Sequence, residues 1–188
     1  MKSFYPEEVS RRLRFPSQCG VPKSFDSKGT GVSLECGSAV RFYLTFSGES
    51  ITQARFVSNG CGWAVASSEA LAELVVGKRL KDLHGLAGLS SIMEQELGHI
   101  PGGRRQCVAI AGDALKTALA DHRERIVCEW TGDKALVCSC FGVSEETIEE
   151  AAAAGTATTI EEVGELCGAG TGCGSCRMII GEILRTED

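Results

Sequence analysis

Hydrophobic and polar residues alternate along residues 39–46 in the pattern of a β-strand. Four hydrophobic side chains between Val40 and Phe46 fall on one face of this segment, as in a strand with one buried face. The Ser-Gly-Glu-Ser sequence at 47–50 predicts a turn, and residues 51–57 predict a second strand. The pattern therefore predicts a hairpin within a small antiparallel sheet.

Helical periodicity is found on both sides of this hairpin. Ser144 and Thr159 stand where N-caps are favoured, and the sequence after Thr159 fits a capping box. We therefore expect an α+β chain, in which helices pack on the small sheet of a first domain and a small all-α domain follows. The segments predicted to be helical are residues 7–14, 63–76, 89–97, 113–122 and 177–184.

The balance of charge changes sharply near residue 130. Residues 1–130 carry 16 Lys and Arg against 14 Asp and Glu, whereas residues 131–188 carry 3 against 11. This break predicts a first domain at 1–126, a linker at 127–135 and a second domain at 136–188. The acidic second domain disfavours nucleic acid as a partner, because phosphates would repel it. It suits either a basic protein partner or a solvated surface.

Composition predicts a cytoplasmic protein with metal or thiol chemistry. No apolar stretch is long enough to cross a membrane, and the first residues lack the hydrophobic segment of a signal peptide, so we expect no membrane partner. The chain has 10 cysteines, and in a reducing compartment these indicate metal binding more than disulfides. Because there are only 3 histidines, the chain has more ligands for sites made of thiolates alone than for sites that combine cysteine with histidine.

Four cysteines of the second domain are spaced like ligands of a metal cluster. Cys138 and Cys140 form a C-x-C pair, and Cys173 and Cys176 form a C-x-x-C pair in a glycine-rich loop. Four thiolates hold a 2Fe–2S cluster, and glycines let backbone N–H groups approach it. A structural zinc site and unligated thiols are the alternatives. Cys167 is expected to be a small buried thiol.

Three cysteines of the first domain also stand at chemically suggestive positions. Cys36 lies in a turn, Cys61 lies between a strand and a helix, and Cys107 follows two arginines. A thiol at a helix N-terminus or beside arginine has a lowered pKa and reacts more readily. The residues leave open whether the three converge or are unrelated buried thiols. Cys128, near the linker, is expected to be incidental.

The second domain resembles a known type of 2Fe–2S domain. Residues 136–184 contain Val-Cys-Ser-Cys-Phe-Gly-Val near their start and Thr-Gly-Cys-Gly-Ser-Cys near the second pair. These motifs and their spacing are similar to the bacterioferritin-associated-ferredoxin type, which also forms the middle of NifU proteins. The resemblance implies a permanent 2Fe–2S cluster on the four cysteines in a compact helical fold.

The first domain, from about residue 5 to 122, contains Cys36-Gly37, Gly-Cys-Gly-Trp-Ala-Val-Ala-Ser-Ser at 60–68, Val-Gly-Lys at 76–78, and Cys107 with Asp-Ala-Leu at 113–115. These motifs resemble those of the NifU N-terminal/IscU scaffold domain. The resemblance implies that Cys36, Cys61 and Cys107 bind iron or zinc, receive sulfur from a cysteine desulfurase and pass a transient cluster to apo recipient proteins. It also implies an electron donor, the capacity to form a homodimer, and a carrier rather than an enzyme. The family's third, C-terminal domain is not expected here.

Two positions depart from the scaffold pattern. The family has aspartate where this chain has Ser38, and histidine where it has Gln106. Because serine and glutamine are poorer ligands, we expect weaker iron or zinc binding than in relatives. The family's chaperone-docking Leu-Pro-Pro-Val-Lys is replaced by Ile-Pro-Gly-Gly-Arg at 100–104, so chaperone recognition is not implied. Candidate replacement ligands are His84, His99, His122 and Cys19.

Three functions remain open at this point. The leading hypothesis is a scaffold that assembles and delivers iron–sulfur clusters, with the second-domain cluster as an electron relay that reduces persulfide sulfur. The alternative is an electron-transfer or redox-regulatory 2Fe–2S protein with a degenerate scaffold domain, which the Ser38 and Gln106 replacements favour. The third hypothesis is a zinc-stabilised interaction protein.

Overall fold

The computed structural model describes residues 4–80, 82–83, 89–132 and 134–186 of the chain. They form two compact units. The first holds the described residues of Met1–Arg79 and Gly85–His122, and the second those of Leu80–His84 and Arg123–Asp188. In chain order the elements are α1 Glu7–Arg14, β1 Ser27–Val32, β2 Ala39–Ser47, β3 Ser50–Ser58, α2 Gly62–Val75, α3 Leu89–Leu97, α4 Arg105–Glu129, β4 Leu136–Cys138, β5 Val143–Ser144, α5 Glu145–Ala153, α6 Ile160–Cys167 and α7 Arg177–Thr186.

The first unit is built on a three-stranded antiparallel sheet in the order β1-β2-β3. Strands β2 and β3 form the predicted hairpin, with Phe42 opposite Phe56. Both rings are fully buried, with centroids 6.0 Å apart. Helix α2 packs on β3 and on α1. The predicted combination of a small antiparallel sheet with packed helices is confirmed.

Strand β1 is an element that the hydrophobic pattern does not predict. Its sequence, Ser-Lys-Gly-Thr-Gly-Val, resembles a loop, but its alternate residues Ser27, Gly29 and Gly31 are buried. A Cβ atom on Gly29 would lie 2.0 Å from the backbone nitrogen of Ala118, and one on Gly31 would lie 2.1 Å from the carbonyl oxygen of Ile110. Glycine therefore lets β1 lie directly against the backbone of α4.

Helix α4 is longer than the predicted helix at 113–122. It begins at Arg105, just after a short 3-10 turn at Gly102–Arg104, and continues to Glu129. It thus includes residues 127–129 of the predicted linker. The division between the two compact units falls within it, after His122. No helix among the described residues is long and apolar enough to cross a membrane.

The second unit is mainly helical, as predicted, with one small addition. Helices α5, α6 and α7 surround a core that includes the fully buried Ile148, Val163 and Ile180. The addition is an antiparallel ribbon of β4 and β5, of three and two residues. It forms because the chain reverses at Cys138–Gly142, where Gly142 has a φ of 68°. The all-α prediction missed a ribbon this short.

The predicted caps are present at the starts of α5 and α6. The hydroxyl of Ser144 accepts a hydrogen bond from the N–H of Thr147 at 3.2 Å. Thr159 accepts from the N–H of Glu162 at 3.2 Å, and the Glu162 carboxylate accepts from the N–H of Thr159 at 3.1 Å. Both ends of this capping box therefore satisfy free backbone donors.

We expect Thr159→Ala to lower the free energy of unfolding by about 1 kcal/mol. Hydrogen bonds from Thr158 and Thr159 lower the pKa of Glu162. A carboxylate with a lowered folded-state pKa stabilises the fold above its unfolded pKa, and this stabilisation is lost as the pH falls through the folded value. Urea unfolding, with each protein in the same metal state, should therefore show that Glu162→Gln loses more stability at pH 7 than at pH 3, whereas Thr159→Ala, which keeps the backbone N–H donors to Glu162, loses stability at both. Equal midpoints at pH 7 would contradict the prediction.

Candidate metal centres

Cys61 and Cys107 are brought into direct contact in the first unit. Cys61 is the N-cap of α2, and Cys107 lies in the first turn of α4. Their sulfur atoms are 3.4 Å apart. Two thiolates that bind one metal tetrahedrally, with metal–sulfur bonds of about 2.3 Å, stand about 3.8 Å apart. The pair is therefore close to the spacing that a shared metal requires.

The surroundings favour a thiolate at Cys61 and a protonated thiol at Cys107. Burial raises the pKa of Cys61, but hydrogen bonds from Ala64, Cys107 and Trp63 and the charge of Arg104 outweigh it, so that the pKa is lowered. Burial and the hydrogen bond with Cys61 raise the pKa of Cys107 to about 11. Cys61 therefore loses its proton more readily than Cys107, and a metal bound by both sulfurs would displace both protons.

Cys36 is exposed, in the turn between β1 and β2. Hydrogen bonds with Ser33 and Ser38 lower its pKa, and its sulfur is 3.1 Å from the hydroxyl oxygen of Ser38. Cys36 also acts on Cys107 through its charge, which contributes to the raised pKa of that thiol. The first unit therefore presents a contacting pair of thiols and a third, more exposed one.

The two positions that depart from the scaffold pattern lie beside these thiols. Ser38 contacts Cys36 through its hydroxyl. Gln106 is half-buried and precedes Cys107 in the first turn of α4. Neither serine nor glutamine supplies the charged carboxylate or the imidazole that zinc prefers. The site is therefore poorer in ligands than one that carries aspartate and histidine at these positions.

Three of the four candidate replacement ligands lie in the part of the chain that the structure describes. The ring of His122 stacks on Phe46 with a centroid distance of 3.7 Å, and His99 is exposed. Cys19 is exposed and pairs with Phe56 at the β3 edge. His84 lies outside the described residues. Among the residues that the structure describes, no three Cys, His, Asp or Glu side chains lie close enough together to hold one single metal ion.

We expect iodoacetamide to modify Cys36 first, Cys61 next and Cys107 last. Cys36 combines full exposure with a lowered pKa, whereas Cys107 is 4% exposed and has a raised pKa. Because the thiolate is the nucleophile, the rates at pH 8 should differ about ten-fold or more between these two. Peptide mass spectrometry over time measures the order in the metal-free protein. Faster modification of Cys107 than of Cys36 would contradict the prediction.

The four cysteines of the second unit form a continuous group of thiols. The sulfurs of Cys140 and Cys173 are 3.5 Å apart. Cys138 is hydrogen-bonded through its thiol to both Cys140 and Cys176. The contacts therefore join the C-x-C motif to the C-x-x-C motif. Cys138, Cys140 and Cys176 are buried, and Cys173 is exposed.

The surroundings of these thiols fit a 2Fe–2S cluster. The N–H of Gly170 donates to the sulfur of Cys176 at 3.2 Å, which is the kind of hydrogen bond that cluster sulfurs accept. A Cβ atom on Gly172 would lie 2.8 Å from the sulfur of Cys140, so only glycine leaves room there. Hydrogen bonding to Cys138 and burial raise the pKa of Cys140 to about 12. Four thiols with backbone donors supply the ligand set that the cluster needs.

Cys167 and Cys128 are the other two cysteines of the second unit. The half-buried Cys167 donates to the carbonyl oxygen of Val163 at 3.2 Å, within helix α6. Cys128 is exposed near the end of α4.

Residues 4–129, two thirds of the chain, match the family described as the NifU-like N-terminal domain. The chain belongs to this family. Residues 136–186 of this NifU-like chain also match the BFD-like [2Fe-2S] binding domain. The first match contains Cys36, Cys61 and Cys107, and the second contains all four cysteines of the second group.

Characterised relatives agree with both matches. The NifU-like chain is 31% identical over 191 residues to the nitrogen fixation protein NifU of Nostoc sp., and the match covers 96% of this chain and 63% of that protein. It is 32% identical over 128 residues to the iron-sulfur cluster assembly scaffold protein IscU of Escherichia coli, and covers 95% of it. The chain thus spans about three fifths of the length of NifU relatives (59% of the Azospirillum brasilense protein).

A solved structure shares the fold of the NifU-like unit. It is described as a putative iron-sulfur cluster assembly scaffold protein for the SUF system from Fervidobacterium islandicum. The similarity has a TM-score of 0.53 at 23% identity and covers 61% of this chain and 95% of that one. At this identity the likeness establishes the fold alone.

Several neighbours of the thiols in this NifU-like chain were missed by sequence analysis. Ser33 hydrogen-bonds Cys36, and Gly170 donates to Cys176 from outside the C-x-x-C motif. Arg123, on α4, donates to the sulfur of Cys140 at 3.8 Å. Ser33 could have been found, since it lies three residues before Cys36. Arg123 carries no such signal in the sequence, because only folding brings it to Cys140.

Proposed function

We propose that this chain is an iron–sulfur cluster assembly scaffold with two thiol sites of different kinds. A transient cluster, which is the cargo, is built on Cys36, Cys61 and Cys107. A resident 2Fe–2S cluster is held by Cys138, Cys140, Cys173 and Cys176. The observation that carries the proposal is the 3.4 Å contact between Cys61 and Cys107, within the segment that is similar to IscU.

The two sites differ in how tightly they can hold iron. Four thiolates complete the ligand set of a 2Fe–2S cluster. Three thiolates leave one position for a weaker ligand, as in open metal sites. Here Ser38 and Gln106 make that position weaker still. The first site therefore suits a cluster that leaves, and the protein acts as a carrier rather than as an enzyme.

The exposed, low-pKa sulfur of Cys36 suits the acceptance of sulfur from a cysteine desulfurase. Its thiolate attacks the outer sulfur of the desulfurase persulfide, a new S–S bond forms, and the desulfurase thiolate leaves. Reduction of that outer sulfur to sulfide then takes two electrons from an external electron donor. When bound, the resident cluster supplies one-electron transfer. Apo iron–sulfur proteins are the recipients of the finished cargo.

A second function is favoured by one feature of the first site. Ser38 and Gln106 replace the ligands that the scaffold resemblance implies, and the sulfur of Cys36 is hydrogen-bonded to Ser38. A protein in which the first site no longer assembles clusters would be an electron-transfer or redox-regulatory protein. Its chemistry would rest on the resident cluster alone.

Anaerobic cluster loading separates these functions. The purified chain is analysed for iron and sulfide, then incubated with a cysteine desulfurase, cysteine and ferrous iron, and finally mixed with an apo-ferredoxin. A scaffold holds about two iron atoms per chain at first, gains more, and loses the gain to the ferredoxin. Cys61→Ala should abolish the gain, whereas Cys19→Ala, the matched control at an exposed cysteine of the same unit, should keep it.

Each other result has a clear meaning. Resident iron without any further gain would overturn the scaffold proposal and leave the electron carrier. A colourless chain loaded with zinc would overturn both functions and support a zinc-stabilised interaction protein.

A further inference from the structure

Arg123 contacts the candidate cluster ligands from outside the segment that matches the 2Fe–2S domain. That segment begins at residue 136, whereas Arg123 lies on α4 and belongs to the second compact unit with the four cysteines. One guanidinium nitrogen, Nη1, donates to the sulfur of Cys140 at 3.8 Å. The side chain is half-buried. Arg123 therefore adds a positive charge to the surroundings of the thiol group.

The position of Arg123 makes its charge act strongly on the sulfur of Cys140. Within the part of the chain that the structure describes, no carboxylate forms an ion pair with Arg123. Its partner Cys140 is 6% exposed, and the Cys140 sulfur is 3.5 Å from the sulfur of Cys173. Charges act more strongly where water is largely excluded.

We propose that Arg123 raises the reduction potential of the resident 2Fe–2S cluster through its hydrogen bond to Cys140. The inference rests on the proposed function of the four cysteines as the cluster site. Reduction adds one electron from an external reductant, so that the reduced cluster is more negative by one charge than the oxidised one. A nearby cation and a hydrogen bond to a ligand sulfur both stabilise the more negative state. Arg123 neither gains nor loses a proton in this step.

Arg125 provides a matched control on the same helix. It is exposed and pairs with Glu129 at 3.3 Å. Replacement of Arg123 or Arg125 by glutamine removes the same charge from α4, but the contact described for Arg125 is an exposed pair with Glu129, whereas Arg123 donates to a candidate cluster ligand. Arg123→Lys keeps the charge and loses the planar guanidinium, and so separates charge from hydrogen-bond geometry.

The test is a potentiometric titration of the full-length, cluster-loaded protein, followed by visible absorption. We expect Arg123→Gln to lower the midpoint potential, Arg123→Lys to lower it less, and Arg125→Gln to leave it unchanged. The shift should persist at 1 M salt, because a half-buried contact is screened less than a surface charge. A second readout is iron release to a chelator from the oxidised protein, which should be several-fold faster in Arg123→Gln.

The outcomes separate this inference from the proposed function. A wild-type chain that takes up no 2Fe–2S cluster overturns both. If the wild-type chain takes up the cluster and both Arg123 variants have the same midpoint potential as the wild type, the inference alone is overturned. Equal shifts in Arg123→Gln and Arg125→Gln also overturn it, because they would show a general effect of net charge. If Arg123→Gln fails to load, the Arg123→Lys titration decides in the same way.

Discussion

Cys138→Ser is expected to remove at least about nine tenths of the iron that the purified chain holds, from about two atoms per chain. Cys138 is 2% exposed and is the thiol that contacts both Cys140 and Cys176. Its loss breaks the contacts in the middle of the group. Iron and sulfide analysis of the anaerobically purified variant gives the result.

The same substitution should also destabilise the second unit. Cys138, Cys140 and Cys176 belong to its hydrophobic core, and small domains with a bound metal commonly depend on it for folding. Cys167→Ser is the matched control, since this half-buried thiol of the same unit donates to the Val163 carbonyl within helix α6. Full iron in Cys138→Ser, or equal iron loss in Cys167→Ser, would contradict the assignment of ligands.

The double substitution Ser38→Asp with Gln106→His should raise the zinc affinity of the first site about ten-fold or more. Both side chains adjoin candidate ligands, Ser38 at Cys36 and Gln106 at Cys107. A carboxylate and an imidazole supply the anionic oxygen and the nitrogen that zinc binds well. Competition with a chromophoric chelator measures the affinity in protein already loaded with its resident cluster, so that only the first site takes up zinc.

Two comparisons make this prediction specific. His99→Ala changes an exposed histidine of the same unit and should leave the zinc affinity unchanged. The wild-type chain should bind zinc more weakly than an IscU that carries both aspartate and histidine. Equal zinc affinities of the wild-type chain and such an IscU would contradict the prediction, because they would show that Ser38 and Gln106 do not weaken zinc binding.

Elements with strong local signals could be predicted from the sequence. The alternation in β2, the caps at Ser144 and Thr159, and the C-x-C and C-x-x-C motifs all act over a few residues. The hairpin and both caps therefore lie where local patterns predict them. The thiols of the second group could also be predicted to share an environment, because the resemblance spans both motifs.

Features that depend on tertiary contacts could not be predicted. Strand β1 has glycines where a buried strand ordinarily has large apolar residues, because α4 occupies the space of their side chains. The contact of Cys61 with Cys107 joins residues 46 positions apart, and spacing alone did not show that they converge. Arg123 lies just beyond the predicted end of its helix, so that nothing local related it to Cys140.

Because α4 is one continuous helix, it limits where this protein can be joined to part of a relative. Its first turn carries Cys107, whereas Arg123 and the residues after it belong to the other compact unit. An exchange of parts between relatives at residue 129, the end of the first family match, would bring a foreign side chain to the sulfur of Cys140. A chimaera that takes only the cluster-binding segment from one relative would therefore have a reduction potential that depends on the side chain supplied at position 123 by the other relative. Functional chimaeras should be those whose crossover lies before Arg123.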